Sequence, residues 1–335
     1  MAFFGLDIGS NTIKIVQLQK EQEKFRLLKA GSVKTPSPGL DSEAEKDLIA
    51  VAEAIKKLKK DTGIIPFEAV CSLPESEVFT RVIDFPVMSE EEIAQALPWE
   101  LEEVVPVPLS EAIYDWQIVR KNSAEIAVLV AVAPKRLVEK YLEVLKIAEI
   151  RPIFLETEAL SLVRALRKLG TSKVKLILDF GARSTNLVVA KDEEIILTRS
   201  LSSAGKALTR SISLGLSLEE EVAEEYKKAY GLMEDQFGGK IQEAVKPILD
   251  VIMTEVRKSL EFVVEKKKEK VQMIVLSGGG ATLPEFSGIL AKEFGVEVQI
   301  ADVFSWLVGE EKMMADFKKI SPSFTVAVGL AMKEI

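Results

Sequence analysis

Two stretches of the chain share one pattern of apolar and polar positions. In LDIGSNTIKIV (6–16) and in LDFGARSTNLV (178–188), an apolar run ends on an aspartate, small or polar residues follow, and the apolar run resumes. The two stretches align without a gap, so that Asp7 falls on Asp179, and each is followed by another strand-like segment. A small-residue turn between apolar runs is typical of a β-hairpin. The repeat predicts an internal duplication in which each half begins with a three-stranded meander.

The residues between the two copies follow other patterns. Apolar residues at helical spacing predict a helix within 41–63, and the strand-like segment FEAVCSL comes next. Over 79–150 the pattern predicts strand, helix, strand, strand and helix, which indicates a compact α+β insertion. Its first helix begins with a capping box made by Ser89 and Glu92. Pro98 is expected to kink or divide that helix, because proline removes a helical hydrogen bond.

The second half of the chain is also mixed. RPIFLETEALSLVRALRKLG (151–170) indicates a strand that runs into a helix. After the second meander, residues 205–270 are almost wholly helical in pattern, with GLMEDQFGG as a dividing loop. A strand, three glycines and a helix follow, with Pro284 expected in the first turn of that helix. The chain closes with a helix of small residues, SFTVAVGLAMKEI. The whole pattern predicts an α/β fold.

Composition narrows the chemistry that the chain can perform. The 335 residues, 47% of them apolar, are enough for two domains with real cores. The absence of histidine excludes Ser-His and Cys-His catalysis and imidazole zinc sites, so any metal must be bound by oxygen. A net charge of −8 argues against nucleic acid as a partner. The pattern contains no membrane span and no signal peptide. The single Cys71 is expected to be a small buried residue.

The two hairpin turns are the strongest candidate site. Turns of small residues let backbone N–H groups converge on phosphate oxygens. A carboxylate just before such a turn repels phosphate but can hold a hydrated Mg²⁺ that bridges to it. We therefore expect Asp7 and Asp179 to face a metal ion, and two facing turns to grip a polyphosphate. The alternative for either copy taken alone is an ordinary Asp-Gly hairpin.

Three further features fit a nucleotide. The triple glycine of LSGGGATLPEF offers a surface that a flat nucleoside can approach closely, although such turns are common. Glu224 and Lys227, three apart on one helix face, could hydrogen-bond a nucleoside, or they could be an ordinary surface pair. Glu158 could orient an attacking water, or it could be an acid favoured at a helix N-terminus.

These segments, in this order, resemble the actin-like ATPase superfamily over essentially the whole chain. Within it, ALPWELEEVVPVPLSEAIYDWQIV (96–119) makes the chain most similar to the PilM-type proteins of type IV pilus assembly, and FtsA-type division proteins come second. The resemblance implies ATP or ADP as ligand, with Asp7 and Asp179 holding Mg²⁺ through water. It implies a larger set of nucleotide-binding residues, namely Asp7, Gly9, Ser10, Asn11, Thr12, Lys14, Asp179, Gly181, Ala182, Arg183, Ser184, Glu224, Lys227, Gly278, Gly279 and Gly280.

The resemblance also implies a catalytic acid and a division into domains. Glu158 matches the acid of the first connecting segment, but Ala159 follows it where the family often has proline, so ATP hydrolysis is left open. The implied fold is an actin-like two-domain ATPase fold with duplicated ribonuclease-H-like lobes and an inserted α+β subdomain. The expected parts are a first lobe (1–78, 151–170 and 320–335), an inserted subdomain (79–150), a second lobe (171–204 and 271–319) and a helical subdomain (205–270).

The function implied by the resemblance is a cytoplasmic nucleotide-binding scaffold of the pilus machine at the inner membrane. PilM-type proteins dock the short cytoplasmic N-terminal tail of a bitopic PilN-like protein beside the inserted subdomain, where Phe85, Trp99 and Trp116 are the larger side chains. We expect that partner here, with other pilus proteins and self-association left open, and neither nucleic-acid binding nor direct membrane insertion. The alternatives are an FtsA-like membrane tether and a small-molecule kinase of the same superfamily.

Overall fold

The structure of the chain, a computed structural model, describes residues 2–233 and 236–334. It divides into two compact units. The first unit comprises Met1–Arg164 with Val326–Ile335, and the second comprises Ala165–Thr325. The loop that is predicted to divide the helical stretch includes residues 234 and 235, which lie outside the described residues.

The first unit contains strands and helices that follow the predicted order. They are β1 (Phe4–Ile8), β2 (Thr12–Glu21), β3 (Lys24–Lys34), α1 (Glu45–Thr62), β4 (Glu68–Leu73), β5 (Phe79–Pro86), α2 (Glu90–Val104), β6 (Ala112–Lys121), β7 (Glu125–Pro134), α3 (Lys135–Ile147), β8 (Arg151–Thr157) and α4 (Glu158–Ala165), whose last residue opens the second unit.

The second unit begins with strands and becomes helical. Its elements are β9 (Val174–Phe180), β10 (Thr185–Lys191), β11 (Glu194–Leu201), α5 (Gly205–Leu216), α6 (Glu220–Tyr230), α7 (Lys240–Lys267), β12 (Met273–Ser277), α8 (Phe286–Phe294), β13 (Glu297–Ile300) and α9 (Glu311–Lys318). A final helix, α10 (Thr325–Ala331), returns the chain to the first unit.

The two units contain five-stranded sheets of the same topology. The strand order is β3-β2-β1-β4-β8 in the first unit and β11-β10-β9-β12-β13 in the second. In each sheet three consecutive strands form an antiparallel meander. The fourth strand of each sheet pairs in parallel with the first strand of the meander, and the fifth strand pairs in parallel with the fourth. One strand order built twice confirms the internal duplication that the sequence predicts.

Helices α1 and α3 share the core of the first unit. Leu48 and Ile55 of α1 and Tyr141 and Val144 of α3 are buried in one cluster with Leu6 of β1. The apolar face of α3 therefore contributes to the core formed by β1 and α1, although the helix lies within the predicted insertion (79–150). The subdomain boundaries drawn from the sequence stay a prediction.

Within the first unit, the backbone of helix α10 lies very close to the backbones of β1 and α4. A Cβ atom on Gly329 would approach the backbone of Ser161 in α4 closer than 3.0 Å, a separation that real Cβ atoms essentially never show. A Cβ atom on Gly5 of β1 would meet the backbone of Ala327 and Ala331 in the same way. Glycine is needed at both positions because backbone lies directly against backbone.

A buried ion-pair network lies where α4 and α10 meet. Arg164 donates two hydrogen bonds to the carboxylate of Glu156 (2.5 and 2.9 Å) and one to the carbonyl oxygen of Gly329 (2.7 Å). Lys333 adds an ion pair to the same carboxylate at 3.1 Å. Burial of a carboxylate is tolerated when several donors satisfy it in this way.

Strands β5, β6 and β7 form a third sheet with its own core, and we call residues 79–134 the inserted module. The sheet is antiparallel in the order β5-β7-β6. Helix α2 covers it with Ile93, Leu97 and Leu101, all fully buried. This core is a separate cluster from that of β1, α1 and α3.

The predicted start of α2 is confirmed; of the two effects expected of Pro98, division of the helix is wrong, and a kink stays a prediction. The Ser89 hydroxyl oxygen accepts a hydrogen bond from the Glu92 backbone N–H, and the Glu92 carboxylate accepts one from the Ser89 N–H. The helix then runs unbroken from Glu90 to Val104 with Pro98 inside it. Leu97 and Leu101 on either side of the proline are buried against the sheet, which offsets the hydrogen bond that proline removes.

The predicted place of Pro284 is also wrong. Helix α8 begins at Phe286, two residues later, after Glu285 in a left-handed conformation. The carbonyl oxygen of Pro284 instead accepts a hydrogen bond from the backbone N–H of Leu232 (3.1 Å). Pro284 therefore belongs to a loop contact and not to the helix.

The second unit buries a lysine at the start of its sheet. Lys175 of β9 is 1% exposed, and its ammonium donates hydrogen bonds to the carbonyl oxygens of Leu166 (3.1 Å) and Leu169 (2.7 Å). These carbonyls belong to the turns that follow α4. Burial lowers the pKa of Lys175, with the charges of Asp192 and Glu193 acting in the opposite direction.

Candidate functional site

The first hairpin turn places a buried aspartate beside a compact backbone turn. Asp7 lies in β1 directly opposite Lys14 of β2, and the Lys14 ammonium is 2.9 Å from an Asp7 carboxylate oxygen, with both side chains nearly buried. A Cβ atom on Gly9 would lie 2.8 Å from the Thr12 carbonyl oxygen, so the tight turn needs glycine. Ser10 and Asn11 at its tip are exposed.

The second turn repeats this geometry. Asp179 is buried in β9, and a Cβ atom on Gly181 would lie 2.9 Å from the Ser184 carbonyl oxygen. Opposite Asp179 stands Asn186 and not a lysine. Ala182 is half-buried and Arg183 is exposed. The two turns therefore share a backbone and an aspartate but differ in the residue that faces the aspartate.

Each turn is held in place by a hydrogen bond to its glycine carbonyl. In the first unit the Thr35 hydroxyl donates to the Gly9 carbonyl oxygen at 2.7 Å. In the second unit the backbone N–H of Gly205, the first residue of α5, donates to the Gly181 carbonyl oxygen at 3.1 Å. The second turn is thus attached to a helix N-terminus, whose partial positive charge favours a nearby anion.

The triple glycine lies beside the second turn. Gly278 has a φ of +82°, and a Cβ atom on it would lie 2.6 Å from the Phe180 carbonyl oxygen. A Cβ atom on Gly280 would collide with the Phe180 ring at 2.6 Å, whereas one on Gly279 would meet nothing within 4 Å. Gly278 and Gly280 are therefore needed for packing, and Gly279 is the glycine with open space in front of it.

Glu224 and Lys227 of α6 form a tight cluster with α5. The Lys227 ammonium donates to the Glu224 carboxylate (2.5 Å), the Thr209 hydroxyl (2.8 Å) and the Gly205 carbonyl oxygen (3.0 Å). Three hydrogen bonds are the full donor capacity of an ammonium. In the structure Lys227 thus fixes the start of α5, next to the second turn. Its predicted contact with a nucleoside stays a prediction.

The ionisation of this cluster follows from its burial and hydrogen bonds. Burial lowers the pKa of Lys227, and the Glu224 carboxylate offsets part of that shift. Burial pushes the pKa of Glu224 upward, but hydrogen bonds from Lys227 and Thr209 outweigh it, so the net pKa of Glu224 is lowered. Glu224 is therefore stabilised as an anion beside its lysine.

Glu158 begins α4 and is tied to a second glutamate. Its carboxylate accepts a hydrogen bond from the backbone N–H of Glu75 (3.2 Å), and the buried Glu75 carboxylate accepts one from the backbone N–H of Ala159 (3.2 Å). The two acids thus join the start of α4 to the loop after β4. A role of Glu158 in orienting water stays a prediction.

Several residues that organise these turns were not singled out from the sequence. Thr35, Thr209 and Glu75 each hold a predicted site residue in place, from segments that are distant in the chain. Thr35 and Glu75 lie in loops and Thr209 in a helix, and no local pattern marks any of them. Cys71, by contrast, is fully buried in β4 as expected, and burial raises the pKa of its thiol.

The large side chains of the inserted module have different exposures. Phe85 is buried in the module's core, and Trp116 packs partly buried against that core. Trp99, on α2, is 75% exposed. Of these three candidates for contact with a partner, Trp99 presents the largest free apolar surface.

The described part of the chain contains neither a cluster of metal-binding side chains nor a membrane-spanning helix. Within residues 2–233 and 236–334, no three His, Cys, Asp or Glu side chains come together in a way that could hold a metal ion. Over the same residues, no helix has both the length and the apolar character that crossing a membrane requires.

Comparison with known proteins gives consistent results. A family model described as type IV pilus assembly protein PilM matches residues 5–335. The structure of a PilM-PilN type IV pilus biogenesis complex is similar, with 29% identity, a TM-score of 0.86, and coverage of 98% of this chain and 97% of that one.

More distant similarities extend to other actin-like proteins. The cell division protein FtsA of Streptococcus pneumoniae serotype 2 (strain D39 / NCTC 7466) is 20% identical, over 89% of this chain and 75% of its own length. MreB 5 of Spiroplasma citri bound to AMPPNP shares the fold at 13% identity, with a TM-score of 0.57 and coverage of 98% of this chain and 94% of that one. The predicted fold class, an actin-like α/β fold, is confirmed.

Proposed function

The chain belongs to the PilM family of type IV pilus assembly proteins, and on that premise we propose that it is a nucleotide-binding scaffold of the pilus assembly machinery. The observation that carries nucleotide binding is the repeated turn. In both units an aspartate is the last residue but one of the first strand, and a glycine two residues later closes a turn too tight for any side chain. An arrangement kept in both halves of a duplicated fold favours a role in ligand binding over two ordinary hairpins.

The aspartates that would hold a hydrated Mg²⁺ face different residues in the two turns. The Asp7 carboxylate is already neutralised by Lys14 at 2.9 Å. Asp179 faces the neutral Asn186 across the sheet. Because no cluster of three acidic or thiol ligands exists in the described residues, Mg²⁺ at Asp179 would take its other ligands from water and phosphate oxygens. Bound there, the ion would supply charge neutralisation for the phosphates.

Thermal unfolding with and without Mg-ATP tests nucleotide binding. A ligand at about 100 times its Kd should stabilise the folded chain by roughly 2.7 kcal/mol. The Asp179→Asn variant should lose the magnesium-dependent part of this stabilisation, whereas Asp316→Asn, an exposed change in α9, should retain it. Equal stabilisation of both variants would contradict the metal assignment. No stabilisation of nucleotide-free parent protein would contradict the nucleotide site.

The proposal includes a weak or regulated ATPase activity in which Glu158 orients water. Glu158→Gln keeps an acceptor for the Glu75 N–H, so the fold should be retained. The variant should bind Mg-ATP like the parent and lose any slow release of phosphate. Unchanged phosphate release would remove Glu158 from the mechanism without affecting the binding proposal.

For the partner, we propose the cytoplasmic N-terminal tail of a PilN-like bitopic membrane protein. The similarity to the PilM-PilN complex over nearly the whole chain supports this partner. Because the described helices do not cross a membrane, such a tail would hold the chain at the cytoplasmic face of the inner membrane. A short disordered tail loses conformational entropy on docking, so it requires a preformed surface.

Titration calorimetry with a synthetic tail peptide tests this partner. We expect a one-to-one complex of micromolar or tighter affinity with the full chain in the presence of Mg-ATP. Absence of binding by folded, nucleotide-loaded protein would favour the FtsA-like function instead. The result does not depend on whether ATP is hydrolysed.

A further inference from the structure

The net charge of the chain is concentrated in the inserted module. Residues 79–134 contain ten acidic and three basic side chains, a balance of −7, against −8 for the whole chain. Arg120, one of the three basic residues, forms ion pairs within the sheet with Glu125 (2.6 Å) and Asp84 (3.4 Å). The remainder of the chain is therefore almost neutral, and the module is strongly acidic.

Most of this uncompensated charge lies on α2. The helix carries six glutamates and neither lysine nor arginine. Glu92 is used in the capping box. Within the part of the chain that the structure describes, Glu100, Glu102 and Glu103 make no ion pair. The acidity of α2 is thus presented to solvent rather than balanced inside the molecule.

The outer face of α2 combines this charge with an exposed tryptophan. Ile93, Leu97 and Leu101 bury the opposite face. Residues three and four apart share a helix face, so Trp99 lies on the same side as Glu102 and Glu103. At 75% exposure Trp99 leaves most of its large apolar surface in water. Tryptophan is among the residues that contribute most when they are buried at an interface.

We propose that this outer face of α2 is a docking surface for a basic, arginine-bearing segment of a protein partner. A guanidinium can stack on the Trp99 ring while it donates to the neighbouring carboxylates. Phosphate groups of nucleic acid and of anionic lipids are repelled by the same carboxylates. A second copy of this chain is a poorer occupant, because the rest of the chain has no basic excess to offer.

Arginine fits this surface better than lysine. Its planar guanidinium stacks on an aromatic ring and presents paired donors that match a carboxylate. Lysine offers a compact, strongly hydrated charge with neither property. The proposal goes beyond the nucleotide and tail functions above, and its test uses neither ligand.

The test measures peptide binding to the full chain by calorimetry. The probe is a peptide of about twelve residues in which arginine alternates with serine, and a twin carries lysine in place of arginine. The variants are Trp99→Ala and the pair Glu102→Lys with Glu103→Lys. Matched controls in the second unit are Leu214→Ala, at a residue that is 73% exposed, and the pair Glu220→Lys with Glu221→Lys. Circular dichroism verifies folding of each.

We expect Trp99→Ala to weaken binding by about fivefold or more, since a stacked cation contributes that much. The charge reversal on α2 should abolish binding, while both controls stay within about twofold of the parent at an ionic strength near 0.15 M. The lysine twin should bind several-fold more weakly. Equal losses in the α2 and control charge reversals, or no effect of Trp99→Ala, would overturn the proposal. A parent dimer that Trp99→Ala dissociates would also overturn it, in favour of self-association.

Discussion

At the scale of single residues, the two hairpin turns differ in the side chain that faces the aspartate. Lys14 forms an ion pair with Asp7, and the duplicated position holds Asn186 opposite Asp179. The same backbone therefore surrounds a neutralised carboxylate in one unit and a carboxylate beside a neutral amide in the other. Removal of Asp7 should consequently leave the nearly buried Lys14 without its counter-charge.

We predict that Asp7→Asn destabilises the nucleotide-free chain more than the exposed Asp316→Asn does. Removing Asp7 leaves the nearly buried Lys14 ammonium without its counter-charge, and breaking such a pair costs about 3 kcal/mol. Asp316 of α9 is exposed, so Asp316→Asn leaves no buried charge unpaired. Urea unfolding of each variant gives the two free energies of unfolding.

The double variant Asp7→Asn with Lys14→Met is the control for this prediction. Replacing both members of a buried pair by neutral groups is often close to neutral, so the second change should restore most of the loss. Equal stabilities of the two aspartate variants would show that the Asp7–Lys14 pair contributes nothing to the fold.

A second residue-scale prediction concerns the buried Lys175. Lys175→Met leaves the carbonyl oxygens of Leu166 and Leu169 without their donor, which should cost about 1–3 kcal/mol in the free energy of unfolding. The exposed Lys173→Met is the matched control and should stay within about 0.5 kcal/mol.

The pKa of Lys175 gives this effect a pH dependence. Burial lowers its pKa in the folded chain, so the unfolded chain binds the proton more tightly. Between the lowered value and the ordinary 10.5, the free energy of unfolding of the parent should rise with pH relative to Lys175→Met. Urea unfolding at a series of alkaline pH values tests this, and a falling difference would contradict the burial of the charge.

At the scale of elements, close packing of α10 on α4 requires Gly329. We predict that Gly329→Ala destabilises the chain by more than about 3 kcal/mol, because the new Cβ atom would overlap the Ser161 backbone. Gly288→Ala in α8 is the matched helical control. Its Cβ atom would have 3.6 Å to the flexible Glu285 side chain, so helix propensity should stabilise it by about 0.5–1 kcal/mol. Thermal unfolding of both variants measures the contrast, and similar melting temperatures would contradict it.

Elements whose signal is local were predictable from the sequence. The meanders, the capped start of α2 and the strand before the triple glycine each depend on neighbouring residues, and all form where they are predicted. The continuity of α2 through Pro98 was not predictable, because it depends on how Leu97 and Leu101 pack on a sheet. The packing of α3 against α1 was missed for the same reason, since it brings together segments far apart in the chain.

For the candidate site, too, features set by neighbouring residues could be predicted and features set by distant partners could not. Glycines and aspartates at fixed spacing identify the turns, because the backbone itself imposes that spacing. The roles of Lys14 and Lys227 could not be read in this way. The role of Lys14 depends on its hydrogen bond to Asp7, and the role of Lys227 on its hydrogen bond to Thr209. Only the pairing of strands or helices brings these partners within hydrogen-bond distance.

At the scale of the whole molecule, the separate core of the inserted module makes it removable. Phe79 pairs with Val132 across the sheet, so the chain enters and leaves the module at neighbouring positions about 5 Å apart. We predict that replacing residues 80–131 by about three glycine and serine residues, enough to span that gap, leaves a cooperatively folded chain. Replacing 79–150 should instead unfold the first unit, because it removes the buried Tyr141 and Val144 of α3 from the core.

The same pair of deletions separates the proposed functions. The shorter deletion keeps Asp7, Asp179 and both turns, so Mg-ATP should still raise its unfolding temperature. It removes α2 with Trp99 and the glutamates around it, so the arginine peptide should no longer bind. Circular dichroism melts and peptide calorimetry on the one variant measure both outcomes. If the variant lost both the stabilisation by Mg-ATP and the binding of the peptide, the module would take part in nucleotide binding. If the shorter variant failed to fold, the core of the module would not be independent of the rest of the first unit.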